Sequence, residues 1–237
     1  MKLGKGLLHV SLLVLLALGF VPTVIGCSVS CSDHRVSQSQ ANEADQLLNE
    51  VALPSYKVIT DRGSGSAVAF KSRFLLTAAH VVLTDSNIPL VNIKVFSKLG
   101  DHKVIADAEV VKFDVRRDLA ILKVNVAMPY IAKLVSQEDV VTSVLWGSNV
   151  VASGYALGVD SPVVTEGRIS SVDNEGFMLY TCPTVFGNSG GPVYVKCNGE
   201  YRVFSICQMV FMAYGPVCHM GLGVNSWTML DFVKEYR

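Results

Sequence analysis

From residue 51 to the C-terminus, apolar residues come in short runs rich in β-branched and aromatic side chains, separated by Gly, Pro, Asn and Asp. Such runs read as strands and the separators as turns. Six runs fall at 56–59, 66–70, 73–77, 91–96, 104–113 and 119–124, enough for one closed antiparallel barrel. After a connecting stretch at 128–141, six more follow at 150–155, 163–172, 177–181, 192–195, 202–210 and 221–225. The predicted fold class is therefore all-β, with two six-stranded antiparallel β-barrels. Trp227, Leu230 and Val233 recur at helical spacing, which predicts a C-terminal helix over 227–235.

The pattern differs upstream. Lys2 and Lys5 precede an apolar run over 7–20 broken only by His9, Ser11 and Gly19, the form of an export signal. That run is followed by Val24-Ile25-Gly26-Cys27, which resembles the bacterial lipobox. The resemblance implies a signal peptide over 1–26, lipid on Cys27, and a protein held on the outer side of the cytoplasmic membrane, or in the periplasm or outer membrane. An ordinary signal peptide with a coincidental Cys is the alternative. A permanent span is disfavoured, because Pro22 and Gly26 interrupt a segment already marginal for the roughly 20 residues a bilayer requires. Residues 27–50 are rich in Ser, Gln, Asn, Asp and Glu and read as a polar tether, with a helical hint at Leu47, Leu48 and Val51. The folded domain is expected over 51–237.

Composition narrows the function. Half of the 237 residues are apolar and 17% are charged, which suits one sizeable core and a single domain. Twenty basic residues balance twenty acidic ones without any Lys/Arg cluster, so nucleic acid is not an expected partner. Setting Cys27 aside leaves Cys31, Cys182, Cys197, Cys207 and Cys218, an odd number for an oxidising compartment. At least one thiol is expected to stay free or to pair unusually. A bridge between Cys182 and Cys207 is one option near the predicted site, but spacing alone leaves the connectivity open.

Three patterns carry candidate chemistry: Leu76-Thr77-Ala78-Ala79-His80, Arg117-Asp118-Leu119-Ala120-Ile121-Leu122-Lys123, and Gly187-Asn188-Ser189-Gly190-Gly191-Pro192. Each alone has a commoner structural reading, as a strand end, a strand start or a glycine-rich turn. Together, in this order and in strand-like contexts, they resemble the trypsin and chymotrypsin superfamily, in particular its bacterial HtrA type, over residues 56–235. The resemblance implies a cofactor-independent serine endopeptidase, without a metal, acting on protein or peptide substrates through the triad His80, Asp118 and Ser189. A serine hydroxyl is a poor nucleophile until a base takes its proton, and an imidazole suits that role when a carboxylate fixes its tautomer. By the same resemblance the backbone N–H groups of Gly187 and Ser189 form the oxyanion hole.

Specificity is expected from Pro183 and Thr184 at the pocket base, Gln208 and Met209 on the strand along the substrate, and Gly223 on the opposite wall. Trypsin-like enzymes that bind Lys or Arg carry an acid six residues before the nucleophile. Pro183 stands there, so cleavage after small or medium apolar residues is expected. Digestive relatives also carry an Asp just before the nucleophile, which pairs with a newly freed N-terminal amine. Asn188 cannot form that ion pair, so no zymogen cleavage is expected. HtrA-type enzymes carry a PDZ domain after the protease, whereas this sequence stops just past the closing helix, so PDZ-linked regulation is not expected. The other histidines, His9, His34, His102 and His219, receive no role. Two alternatives share the fold: a binding module without turnover, and an esterase with the same triad.

Overall fold

The computed structural model describes residues 37–99, 102–172, 176–212 and 216–237. The predicted signal, Cys27 and the first part of the tether lie outside the described residues, as do the side chains of Cys218 and His219. Among the described residues no helix is long and apolar enough to cross a membrane. Within the stretch read as tether, a helix α1 spans Gln38–Leu47, opened by a capping box in which Ser37 and Gln40 satisfy each other's backbone N–H groups. It continues through one π-helical turn to Ala52, where Val51 is buried and Glu50 accepts the Tyr201 N–H at 2.7 Å. Ser37–Arg237 forms one compact unit.

The first barrel is built from β1 (Ser55–Thr60), β2 (Gly63–Lys71), β3 (Phe74–Thr77), a helical turn α2 (Ala79–Val82), β4 (Ile93–Leu99), β5 (His102–Asp114) and β6 (Leu119–Val124). Its strands close in the order β1-β2-β3-β6-β5-β4. His102 opens β5 and packs edge-on against Tyr130. The connecting stretch holds a two-residue strand β7 (Lys133–Leu134) and a helix α3 (Gln137–Ser143). The second set runs β8 (Asn149–Gly154), β9 (Val163–Val172), β10 (Phe177–Tyr180), β11 (Pro192–Cys197), β12 (Glu200–Met212) and β13 (Pro216–Val224), followed by α4 (Ser226–Val233). Pairing of β11 with both β8 and β12 closes this barrel, and β7 adds to β12 as a parallel seventh strand. The predicted architecture of two antiparallel barrels and a C-terminal helix is thus observed.

Continuous apolar runs in an antiparallel barrel have a physical reason here: both faces of three strands are covered. Ala67, Ala69, Leu75, Ala120 and Leu122 point into the first barrel. The alternating residues Val68, Leu76, Leu119 and Ile121 join the core of the second. All nine are fully buried. The interface between the barrels is therefore made by β2, β3 and β6, and the His80 and Asp118 motifs end and begin on two of these strands.

Candidate active site

His80 follows β3 by three residues, within α2, and Asp118 immediately precedes β6, so the antiparallel pairing of Thr77 with Ala120 brings them together. Asp118 Oδ2 lies 2.8 Å from His80 Nδ1, and its Oδ1 accepts the His80 backbone N–H at 2.9 Å. Two bonds from one carboxylate hold both the ring and the chain that carries it. A proton on Nδ1 facing Asp118 leaves Nε2 as the basic nitrogen. Asp118 achieves this with φ +49°, a left-handed backbone that Asp adopts more readily than most side chains. Its carbonyl accepts the Ala79 N–H at 3.2 Å.

Ser189 comes from the second barrel, in the turn before β11. Its carbonyl accepts the Ser66 N–H from β2 at 2.7 Å, which pins the Ser189 turn to the first barrel. Its Oγ donates to the Gln208 carbonyl at 3.3 Å, with no hydrogen bond to an imidazole nitrogen among the described residues. Neither Gly187 N–H nor Ser189 N–H has an acceptor among the described residues. Gly187 has φ +95°, and a Cβ on it would overlap the Tyr155 carbonyl oxygen. Gly190, at φ +84°, lets the turn close against Ser66, Thr77 and Ala78.

Pro183 is exposed and its carbonyl accepts Thr165 Oγ1 at 3.2 Å, while Thr184 is buried and donates to the Cys182 carbonyl at 2.9 Å. Gly223 lies across the ladder from Cys207 and Met178. Met209 is half exposed, but the Gln208 side chain turns away from the substrate strand and into the molecule. Its Nε2 donates to the Arg117 carbonyl and, at 3.4 Å, to that of Asp118. Gln208 thereby ties the Ser189 turn to the Arg117–Asp118 turn, accepting from Ser189 Oγ through its carbonyl and donating through its amide.

Residues 63–201 match the family model for the trypsin-like peptidase domain. The chain belongs to that family. It is 28% identical over 187 residues to the magnetosome formation protease MamE of Paramagnetospirillum magneticum, a match covering 76% of this chain. The chain spans about a quarter of the length of that curated relative, 24%. Among solved structures, the serine endoprotease from Yersinia pestis superposes with a TM-score of 0.64 at 21% identity, covering 81% of this chain and 65% of that one. The active form of the Rv3671c protease from M. tuberculosis superposes at 0.62 and 21% identity, covering 84% and 86%. These likenesses show the fold.

In this trypsin-like peptidase domain several residues around the site escaped sequence reasoning. Ser66 Oγ donates to the Gly187 carbonyl at 2.7 Å and accepts the Tyr155 N–H at 2.8 Å. Leu157, 74% exposed and at φ +53°, donates its N–H to the Phe186 carbonyl at 2.6 Å. Lys57 Nζ, on a side chain only 10% exposed, donates to the Gly158 carbonyl at 2.5 Å and to Asp160 at 3.0 Å. A Lys in an otherwise apolar strand was the one available signal, and it is also what an exposed strand position gives. Cys182, Cys197 and Cys207 are free and buried, so no Cys182–Cys207 bridge exists in this structure. Burial pushes the Cys182 thiol up to about 12 and that of Cys207 to about 11, which keeps both protonated and inert near neutral pH. Among the described residues no three His, Cys, Asp or Glu side chains converge as metal ligands.

Proposed function

We propose that this protein is a serine endopeptidase that cleaves peptide bonds through an acyl-enzyme, with Ser189 as nucleophile, His80 as general base and acid, and Asp118 as the orienting carboxylate. The observation that carries the reading is the double grip of Asp118 on His80, by ring and by backbone, beside a serine turn with two unsatisfied N–H groups. In this reading the Ser189 hydroxyl, which bonds the Gln208 carbonyl here, takes His80 Nε2 as its acceptor once substrate is bound, when catalytic hydrogen bonds often tighten. The Oγ–carbon bond then forms as Nε2 takes the proton. The negative oxygen enters the Gly187 and Ser189 amides, each donor contributing about 3 kcal/mol by analogy with measured cases. Collapse breaks the carbon–nitrogen bond, with the amine leaving on the proton from Nε2. Water, deprotonated by His80 in turn, hydrolyses the acyl-enzyme.

Substrates are protein or peptide segments with small or medium apolar residues before the scissile bond, since Pro183 offers no charge to a Lys or Arg side chain. Benzamidine is accordingly expected to inhibit poorly, and a peptide library to show apolar preference; cleavage confined to Lys or Arg would overturn this specificity. The decisive experiment is fluorophosphonate labelling, which needs an activated hydroxyl. The protein is expected to label and Ser189→Ala to fold and stay unlabelled, whereas equal labelling of the variant would remove Ser189 from its role. The lipobox-like Val24-Ile25-Gly26-Cys27 supports export and lipid attachment at Cys27. Cys27→Ser is expected to shift the protein from the membrane to the soluble fraction, and unaltered membrane association would count against the anchor.

A further inference from the structure

An oxyanion hole works only if its amides already point at the position where charge develops. The N–H of Gly187 shares a peptide with the Phe186 carbonyl, and in a trans peptide these two groups point in opposite directions. Whatever holds the Phe186 oxygen therefore aims the Gly187 amide. Leu157 N–H does so at 2.6 Å. Leu157 can donate in that direction because it stands at φ +53°, ψ +21°, a conformation that costs an L residue about 1–2 kcal/mol and needs support from its surroundings.

We propose that Lys57 is a positioning residue for the oxyanion amide of Gly187, acting through the 155–160 segment. Its Nζ spans that segment's turn, bonding the Gly158 carbonyl at 2.5 Å and the Asp160 carboxylate at 3.0 Å, while Gly158 N–H closes the turn onto the Tyr155 carbonyl at 3.0 Å. Lys57 lies directly across the β1–β2 ladder from Ser66, whose hydroxyl holds the Gly187 carbonyl and the Tyr155 N–H. Paired positions of the first barrel thus hold the carbonyl that follows the oxyanion peptide, through Ser66, and the segment whose Leu157 N–H holds the Phe186 oxygen, through Lys57. Asn188 brings no charge to the turn, and its buried Oδ1 has no donor among the described residues. The tie from β1 instead reaches the neighbouring 155–160 segment, through Lys57 on Gly158 and Asp160.

The proposal rests on the serine endopeptidase reading, and the two fail separately. Hydrolysis of an apolar peptide p-nitroanilide by the full chain is measured first with and without Ser189→Ala. Absence of Ser189-dependent turnover overturns the function and this proposal together. Given such turnover, Lys57→Met is expected to lower kcat per fluorophosphonate-titrated site by about 10–100-fold, below or equal to the loss of a whole oxyanion donor, with KM within about threefold. Lys57→Arg is expected to restore most of it. Should Lys57→Met lack a cooperative unfolding transition, Lys57→Gln, which keeps a donor for Gly158, takes its place with an expected loss of about tenfold. An unchanged kcat per titrated site, or a rise in KM alone, overturns the proposal.

Discussion

Asp118 combines two demands that rarely coincide on one residue: a left-handed backbone, and a carboxylate with both oxygens committed to His80. Replacing it by Asn meets the first demand, since Asn also tolerates positive φ, and breaks the second. The amide presents an N–H where Nδ1–H needs an acceptor, so the imidazole turns to the wrong tautomer. Asp118→Asn is expected to unfold at nearly the same temperature and to lose roughly 10⁴-fold in kcat, as the equivalent change does in another protease. A near-normal rate in a chromogenic peptide assay would show that Asp118 does not orient the base. Of the four non-glycine residues with positive φ among the described residues, Asp118 and Leu157 flank the proposed catalytic apparatus, one at the base and one behind the oxyanion peptide. Backbone strain collected at such places is held by the surrounding fold and not by local preference.

Helix α3 shows how a connecting element is tied down. Ser136 and Asp139 form a capping box, and Asp139 Oδ2 also accepts from Arg202 on β12 at 2.8 Å. Burial opposes the charge on Asp139, but the Ser136 N–H and hydroxyl and the Arg202 guanidinium outweigh it and hold the carboxyl below its usual value. A lowered folded-state value means that the stabilisation is fully present above the unfolded value, near pH 4, and is lost as pH falls through the folded one. Asp139→Ala removes the acceptor for the Ser136 N–H, one half of the capping box, and leaves Arg202 with Glu200 alone, an expected cost of about 2 kcal/mol at pH 7. In urea unfolding that difference should shrink as the pH drops below about 4. A gap independent of pH would mean that packing, not the carboxylate, is what the substitution removes.

The compact unit reaches back to Ser37, yet α1 itself buries no residue, and its attachments come late, at Gln46 and Leu47 and then at Glu50 and Val51. Asn188 carries no charge to pair with a terminal amine, and Ser66 and Leu157 bond the 186–187 segment from within the domain, so the proposed activity is expected not to depend on a particular N-terminus. Proteins beginning at residue 28 and at residue 45 are expected to show equal specific activity, and activity appearing only after trimming to one defined residue would refute this. Much of the molecule was legible in the chain. Strand positions followed from short β-branched runs between turn residues, because alternation and turn chemistry act locally. The His80, Asp118 and Ser189 patterns were legible because Gly187 and Gly190 have steric duties no other residue meets. What the chain could not disclose was where one strand's side chains land on another barrel. Val68 and Leu76 read as ordinary strand residues, and only the packed structure assigns them to the neighbouring core. Lys57 is a lone cation in an apolar run until the fold buries it under the 155–160 segment, and Gln208 a polar wall residue until its amide meets Arg117 and Asp118. Local pattern determines elements and marks residues with unusual backbone needs. Contacts between residues about a hundred positions apart, such as Lys57 with Gly158 or Ser66 with Gly187, exist only once both barrels have closed and docked.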